Sequence, residues 1–267
     1  MIKRIVFVLL LTICPFGSFA QDLSTLYKTI LAVKGAVELY KAYKVTDEEL
    51  AEYMKVSMQQ MDKENKVLPQ NSKYTQRLNR LTKGMTSVDG IKLNFKVYQS
   101  NEANAFASPD GSVRVYSKLM DIMTDNEILG ILGHEMGHLA HRDSKNEYRV
   151  QLISEAIRDG LMMNDGTIGE MAASTLGDIG QLMINTKYSR RQESAADDYG
   201  YDYLKKHGIN PWAMAQAFEK LKSIENDTSN KYLKSVKNLL STHPDLDTRI
   251  EAMSNKAKAD GYKKPNN

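Results

Sequence analysis

Apolar residues recur along this chain mostly at helical spacing, interrupted near the middle by two short alternating stretches. That rhythm predicts a mainly α protein with a small β-hairpin or sheet, an α+β fold. A helix is expected over 22–44, and a second over 47–64 behind Thr46-Asp-Glu-Glu49, which has the form of a capping box. Leu68-Pro-Gln-Asn-Ser72 breaks the pattern before a further helix near 73–84. Ile91 to Gln99 then alternates like a half-buried strand, Ser108-Pro-Asp-Gly111 reads as a turn, and Ser112 to Tyr116 as a second strand. The two strands are expected to pair as a hairpin with one edge open to an extended peptide. A small structural sheet without substrate contact is the alternative.

Thr124-Asp-Asn-Glu127 is another capping box, set just before the apolar run Ile128, Leu129, Ile131 and Leu132. The helix it opens carries His134-Glu-Met-Gly-His138. Residues four apart share a helix face, so His134 and His138 can offer imidazole nitrogens to one metal ion, and Glu135 can reach a water beside it as general base. A catalytic zinc usually takes three side chains and keeps a fourth position for water. In the downstream segment Ser189 to Tyr201, Glu193, Asp197 and Tyr201 lie on one helical stripe, with Ala195 and Ala196 small enough for close helix approach. Glu193 can close the site, and Asp197 can bond the second nitrogen of a ligand histidine. Otherwise the two carboxylates pair with Arg190 and Arg191 on a solvated face.

At these residues the chain resembles a known family, the zinc metallopeptidases that include HtpX, the CAAX prenyl endopeptidase and the soluble periplasmic proteases BepA and LoiP. The resemblance rests on Asn104-Ala-Phe-Ala107, Gly133-His-Glu-Met-Gly-His138, Glu193-Ser-Ala-Ala-Asp197 and Ser241-Thr-His-Pro-Asp-Leu-Asp-Thr-Arg249, which occur in the family's order between about residues 90 and 255. It implies a gluzincin-type fold, a single Zn2+ held by His134, His138 and Glu193, and Glu135 as catalytic base and acid. It also implies a substrate-binding edge at Asn104 to Ala107, with Asn104 and Ala105 as the candidate contacts. His243 is implied to lie near the metal, in catalysis or as a resting-state ligand, and Arg249 near the developing oxyanion. Residues alone leave His243 as a loop pin and Arg249 as a helix-surface charge. His141 and His207 read as bystanders, the second preceding Gly208 at a helix end. A metzincin would need Gly and His where this chain has His141 and Ser144.

The first residues bear on compartment. Lys3 and Arg4 precede the apolar run Ile5 to Ile13, and Ser18-Phe-Ala20 offers a small-residue cleavage site, which is the pattern of a secretory signal peptide over 1–20. The run is well short of the roughly 20 residues that span a bilayer. Leu11-Thr-Ile-Cys14 only loosely resembles a lipobox, because Ile13 is bulky, so lipidation is not expected. Cleavage after Ala20 would remove the only cysteine, leaving no disulfide. The expected location is the periplasm.

Residues 21–260 are expected to form one metallopeptidase domain, with N-terminal helices over 21–85, a catalytic part over 90–255 and a solvated tail over 261–267. The stretch 151–186, with Met162, Met163, Met171, Met183 and five glycines, reads as core helices in preference to a mobile lid. Lysine and arginine number 36 against 33 acidic residues, a balance that gives no reason to expect nucleic acid. The expected function is zinc-dependent endopeptidase in envelope quality control. The partners expected are polypeptides, including misfolded or outer-membrane proteins, with peripheral membrane contact left open. The alternative is a periplasmic chaperone for outer-membrane proteins with structural zinc.

Overall fold

The computed structural model describes residues 46–143 and 186–265. The leader expected over 1–20, the helix expected over 22–44 and all of the stretch 151–186 but its last residue lie outside them. α1 (Asp47–Glu64) follows its capping signal, and α2 (Lys73–Leu81) is capped by Ser72, whose hydroxyl accepts the Tyr74 N–H. α2 stops short of residue 84, where Gly84 takes a left-handed φ of +92° that ends the helix. α1 is tied to the sheet by Asp62, which accepts from Arg114 Nε (2.9 Å) and Nη2 (3.0 Å), from Lys96 (2.7 Å) and from the Tyr98 hydroxyl (2.7 Å).

The sheet differs from expectation. Ile91–Gln99 is not one strand, since β1 (Ser87–Val88) and β2 (Ile91–Lys92) form their own small hairpin before β3 (Asn94–Tyr98) begins. β4 (Ala105–Ala107) and β5 (Ser112–Tyr116) are antiparallel, while β3 runs parallel to β5, in the order β3-β5-β4. The expected hairpin of the first strand with Ser112–Tyr116 is therefore wrong. The Ser108–Gly111 turn commits β5 to β4, and residues 99–104 carry the chain across, so that β3 meets the other edge of β5 in the same direction. Gly111, at φ +85°, is required there, because a Cβ would lie 2.0 Å from the Lys92 carbonyl oxygen.

After α3 (Ser117–Ile122), α4 (Asp125–Ala140) begins in the expected capping box, Thr124 and Glu127 each bonding the other's backbone N–H. α5 (Arg190–Lys206) runs antiparallel to it at backbone contact. A Cβ on Gly133 would lie 2.8 Å from Gly200 Cα, and one on Gly137 2.8 Å from Ala196 Cα. α6 (Trp212–Asn226) is buried along most of its length and packs against both α4 and α8 (Leu246–Ala259). α7 (Leu233–Thr242) ends at His243, whose φ of −121° and ψ of 77° lie outside the helical region, which the following Pro244 disfavours. Residues 262, 263 and 265 lie along α6, their carbonyls accepting from Trp212, Asn210 and Gln216 side chains. Among the described residues no helix is long and apolar enough to cross a membrane.

Candidate metal centre

The glycine contact between α4 and α5 sets His134 and His138 facing Glu193 and Asp197. His134 Nε2 and His138 Nε2 are 3.1 Å apart, and Glu193 Oε1 lies 3.3 Å from the latter. His243 enters from the α7–α8 loop, its Nδ1 3.3 Å from His134 Nε2 and 3.1 Å from Glu193 Oε1. One donor atom from each of these four residues falls within 4.8 Å of all the others. Glu135 is buried alongside, with Oε1 4.0 Å from His243 Nε2.

Carboxylates turn both histidine rings toward this centre. His134 Nδ1 is 2.8 Å from Asp197, as expected, and His138 Nδ1 is 3.0 Å from Asp143, which the spacing of the sequence did not suggest. Each pairing leaves Nε2 free as a donor. Tyr188 stacks on His138, centroids 3.8 Å apart and planes 15° off parallel. Arg249 is buried, not a surface charge. Its Nε and Nη2 donate to Asp197 at 2.7 Å, and Nη1 lies 2.5 Å from Glu193 Oε2. Glu193 and Asp197 therefore pair with Arg249 and not with Arg190, which reaches Asp245.

Burial disfavours every charge here, yet the groups answer one another. Burial pushes His134 toward the neutral form, helped by the charges of Arg249 and His138. It works the same way on His138, but hydrogen bonds to Asp143 and Glu193 and the charge of Glu135 prevail and raise its pKa to about 9. Glu193 is raised by burial and lowered by more, chiefly by His243 and His138, so its carboxyl stays well below the usual range. Glu135, Glu193 and Asp197 thus face one permanent cation, Arg249, and His138 adds positive charge by holding a proton. A divalent cation would do the same without protons. The imidazole nitrogens of His134 and His138 and a carboxylate oxygen of Glu193, gathered in one place, are a donor set that such an ion fits.

Ala105 lines a small apolar cavity with His134, Glu135, His243, Phe218 and Leu246. Asn104 turns its carbonyl into the sheet, accepting from Tyr116 N–H at 2.9 Å. On the far side of His138 a cavity of about 470 Å³ opens between α1, the Asp89–Gly90 turn and Asp110. His141 caps α4, and His207 caps α5 ahead of Gly208, both outside the cluster.

A helix bearing H-E-x-x-H, closed by a glutamate from an antiparallel neighbour, defines a gluzincin-type metallopeptidase. The sequence model of Peptidase family M48 matches residues 72–257, and the chain belongs to that family. It is 35% identical over 232 residues to Metalloprotease LoiP of Escherichia coli (strain K12), covering 86% of this chain and 89% of that protein. It is 39% identical over 198 residues to Metalloprotease YcaL of the same organism, covering 74% and 78%. A Protease HtpX homolog of Fusobacterium nucleatum subsp. nucleatum is 28% identical over 200 residues, covering 59% and 60%. The chain is a metalloendopeptidase, a metal-dependent hydrolase of polypeptides.

Proposed function

We propose that this metalloendopeptidase uses zinc, is exported to the periplasm, and degrades misfolded or other envelope proteins. The gathering of His134, His138 and Glu193 donors, with Glu135 beside them, carries the reading. Two imidazoles and a carboxylate are a donor set zinc favours in catalytic sites. A zinc ion held there would supply Lewis acidity to the scissile carbonyl and to the attacking water. Glu135 takes the proton from that water and returns it to the leaving amide nitrogen. His243 borders the same space, placed to bond the developing oxyanion or to lend Nδ1 as a fourth donor. Arg249 holds Asp197 and Glu193 in place beneath. In the β4–β5 register Asn104 and Phe106 bond β5, so the N–H and C=O of Ala105 face the opposite edge, where an extended substrate can add as a strand. The leader-like residues Lys3 to Ala20 support export.

Zinc content and casein cleavage of the wild type beside Glu135→Gln test the mechanism. Stoichiometric zinc in both is expected, with cleavage lowered about 100- to 10,000-fold in the variant, the usual worth of a general base. Undiminished cleavage by Glu135→Gln would remove Glu135 from the chemistry. Zinc without cleavage in either protein would favour a chaperone.

A further inference from the structure

We propose that Asp143 is a positioning residue that fixes the orientation of His138, as Asp197 does for His134. The proposal rests on His138 being a metal ligand, as read above. His138 stands two residues from the last residue of α4, where a helix has begun to lose its own support. A continuing helix would carry position 143 about 140° round the axis from 138, out of reach of the imidazole. The chain does not continue that way. Arg142 takes a left-handed conformation, φ +59°, which glycine adopts freely and arginine rarely does. The turn brings Asp143 back beneath the last helical turn, with Oδ2 3.0 Å from His138 Nδ1. Asp143 is buried at 7% exposure, and among the described residues the hydrogen bond it makes is to His138. A buried carboxylate whose one hydrogen-bond partner among the described residues is His138, delivered by an unfavourable backbone angle, marks a contact the fold is built to make.

The two contacts on His138 are complementary. Tyr188, stacked at 3.8 Å, fixes the plane of the ring. Asp143 fixes the rotation of the ring and holds a proton on Nδ1, so that Nε2 is the atom that faces His134 Nε2 and Glu193 Oε1. Without Asp143 the ring could exchange tautomers or turn away from the centre while the helices stayed packed.

The test is zinc affinity of the full chain by chelator competition, for wild type, Asp143→Ala, Asp143→Asn and His138→Ala, with the melting temperature of each metal-free protein measured alongside. Asp143→Ala is expected to weaken zinc about 10- to 100-fold, the usual worth of such an outer carboxylate, and Asp143→Asn to weaken it less. Wild-type affinity in folded Asp143→Ala, with affinity lost in His138→Ala, would overturn the positioning role alone. A lower melting temperature with unchanged affinity would overturn it equally. Should Asp143→Ala fail to fold, the affinity of Asp143→Asn decides, and no loss there overturns the proposal. If His138→Ala itself binds zinc like the wild type, the ligand assignment falls and the proposal with it.

Discussion

Arg249 shows how one residue can organise a centre it does not complete. Its guanidinium spans Asp197 and Glu193, which support or supply the metal donors, while its flat face lies 4.3 Å from the Phe218 ring centroid. Removing it leaves two buried carboxylates without their fixed counter-ion. Arg249→Ala should therefore lower the stability of the metal-free protein by about 3–5 kcal/mol, as losing one partner of a buried pair does. Arg249→Lys should recover only part, because an ammonium cannot serve both carboxylates in one plane. Urea unfolding in the presence of chelator checks this, and an unmoved midpoint in Arg249→Ala would show that the carboxylates do not depend on it. At this scale the sequence disclosed what periodicity can disclose: His134, His138, Glu193 and Asp197 share helix faces at four-residue spacing. It could not tell Arg249 from Arg190 or Arg191 as the partner of Glu193, since that choice is made across 56 residues by packing. It also hid Asp143, whose position depends on one left-handed residue.

The pair α4–α5 is the element on which the geometry turns. Gly133 and Gly200 let the two backbones touch, and that contact sets the separation between His138 and Glu193. Gly133→Ala gains helix propensity but forces a Cβ to within 2.8 Å of the Gly200 Cα, where backbone rather than a flexible side chain must yield. A net loss of about 1–3 kcal/mol is expected, with weaker zinc binding because Glu193 moves with α5. A melting curve and a zinc titration read both effects, and an unchanged pair of values would mean that the helices can part without disturbing the site. A capping box made the start of α4 legible at Thr124, whereas the one that Ser189 and Gln192 form at the start of α5 is seen only in the structure. Strand partners were less so. Alternation marks a strand but not its neighbour, and the parallel β3–β5 pairing follows from the tight Ser108–Gly111 turn, which gives β5 to β4 first.

Over the whole described fold, charge pairs join elements far apart in sequence, and this makes stability depend on pH with a predictable sign. Asp62 joins α1 to β3 and β5 through Arg114, Lys96 and Tyr98. Burial raises its pKa, but hydrogen bonds to those three groups prevail and hold it below the ordinary carboxylate value. A carboxyl depressed in the folded state stabilises fully above its unfolded pKa and loses that contribution as pH falls through the folded value. The loss therefore belongs below about pH 4, the region of an unperturbed aspartate. Glu193 and Asp197 in the metal-free protein share this sign, so the wild-type curve alone does not isolate the Asp62 network. The difference between wild type and Asp62→Ala does. Near pH 7 the variant should be less stable by about 3 kcal/mol, because Arg114, 1% exposed, keeps its charge without its carboxylate. Toward pH 2 the gap should close as the wild-type Asp62 takes up its proton. Chemical unfolding of the two proteins across pH 7 to 2, in chelator, reads this directly. A gap that stays constant to the acid end would mean that Asp62 contributes packing and not charge.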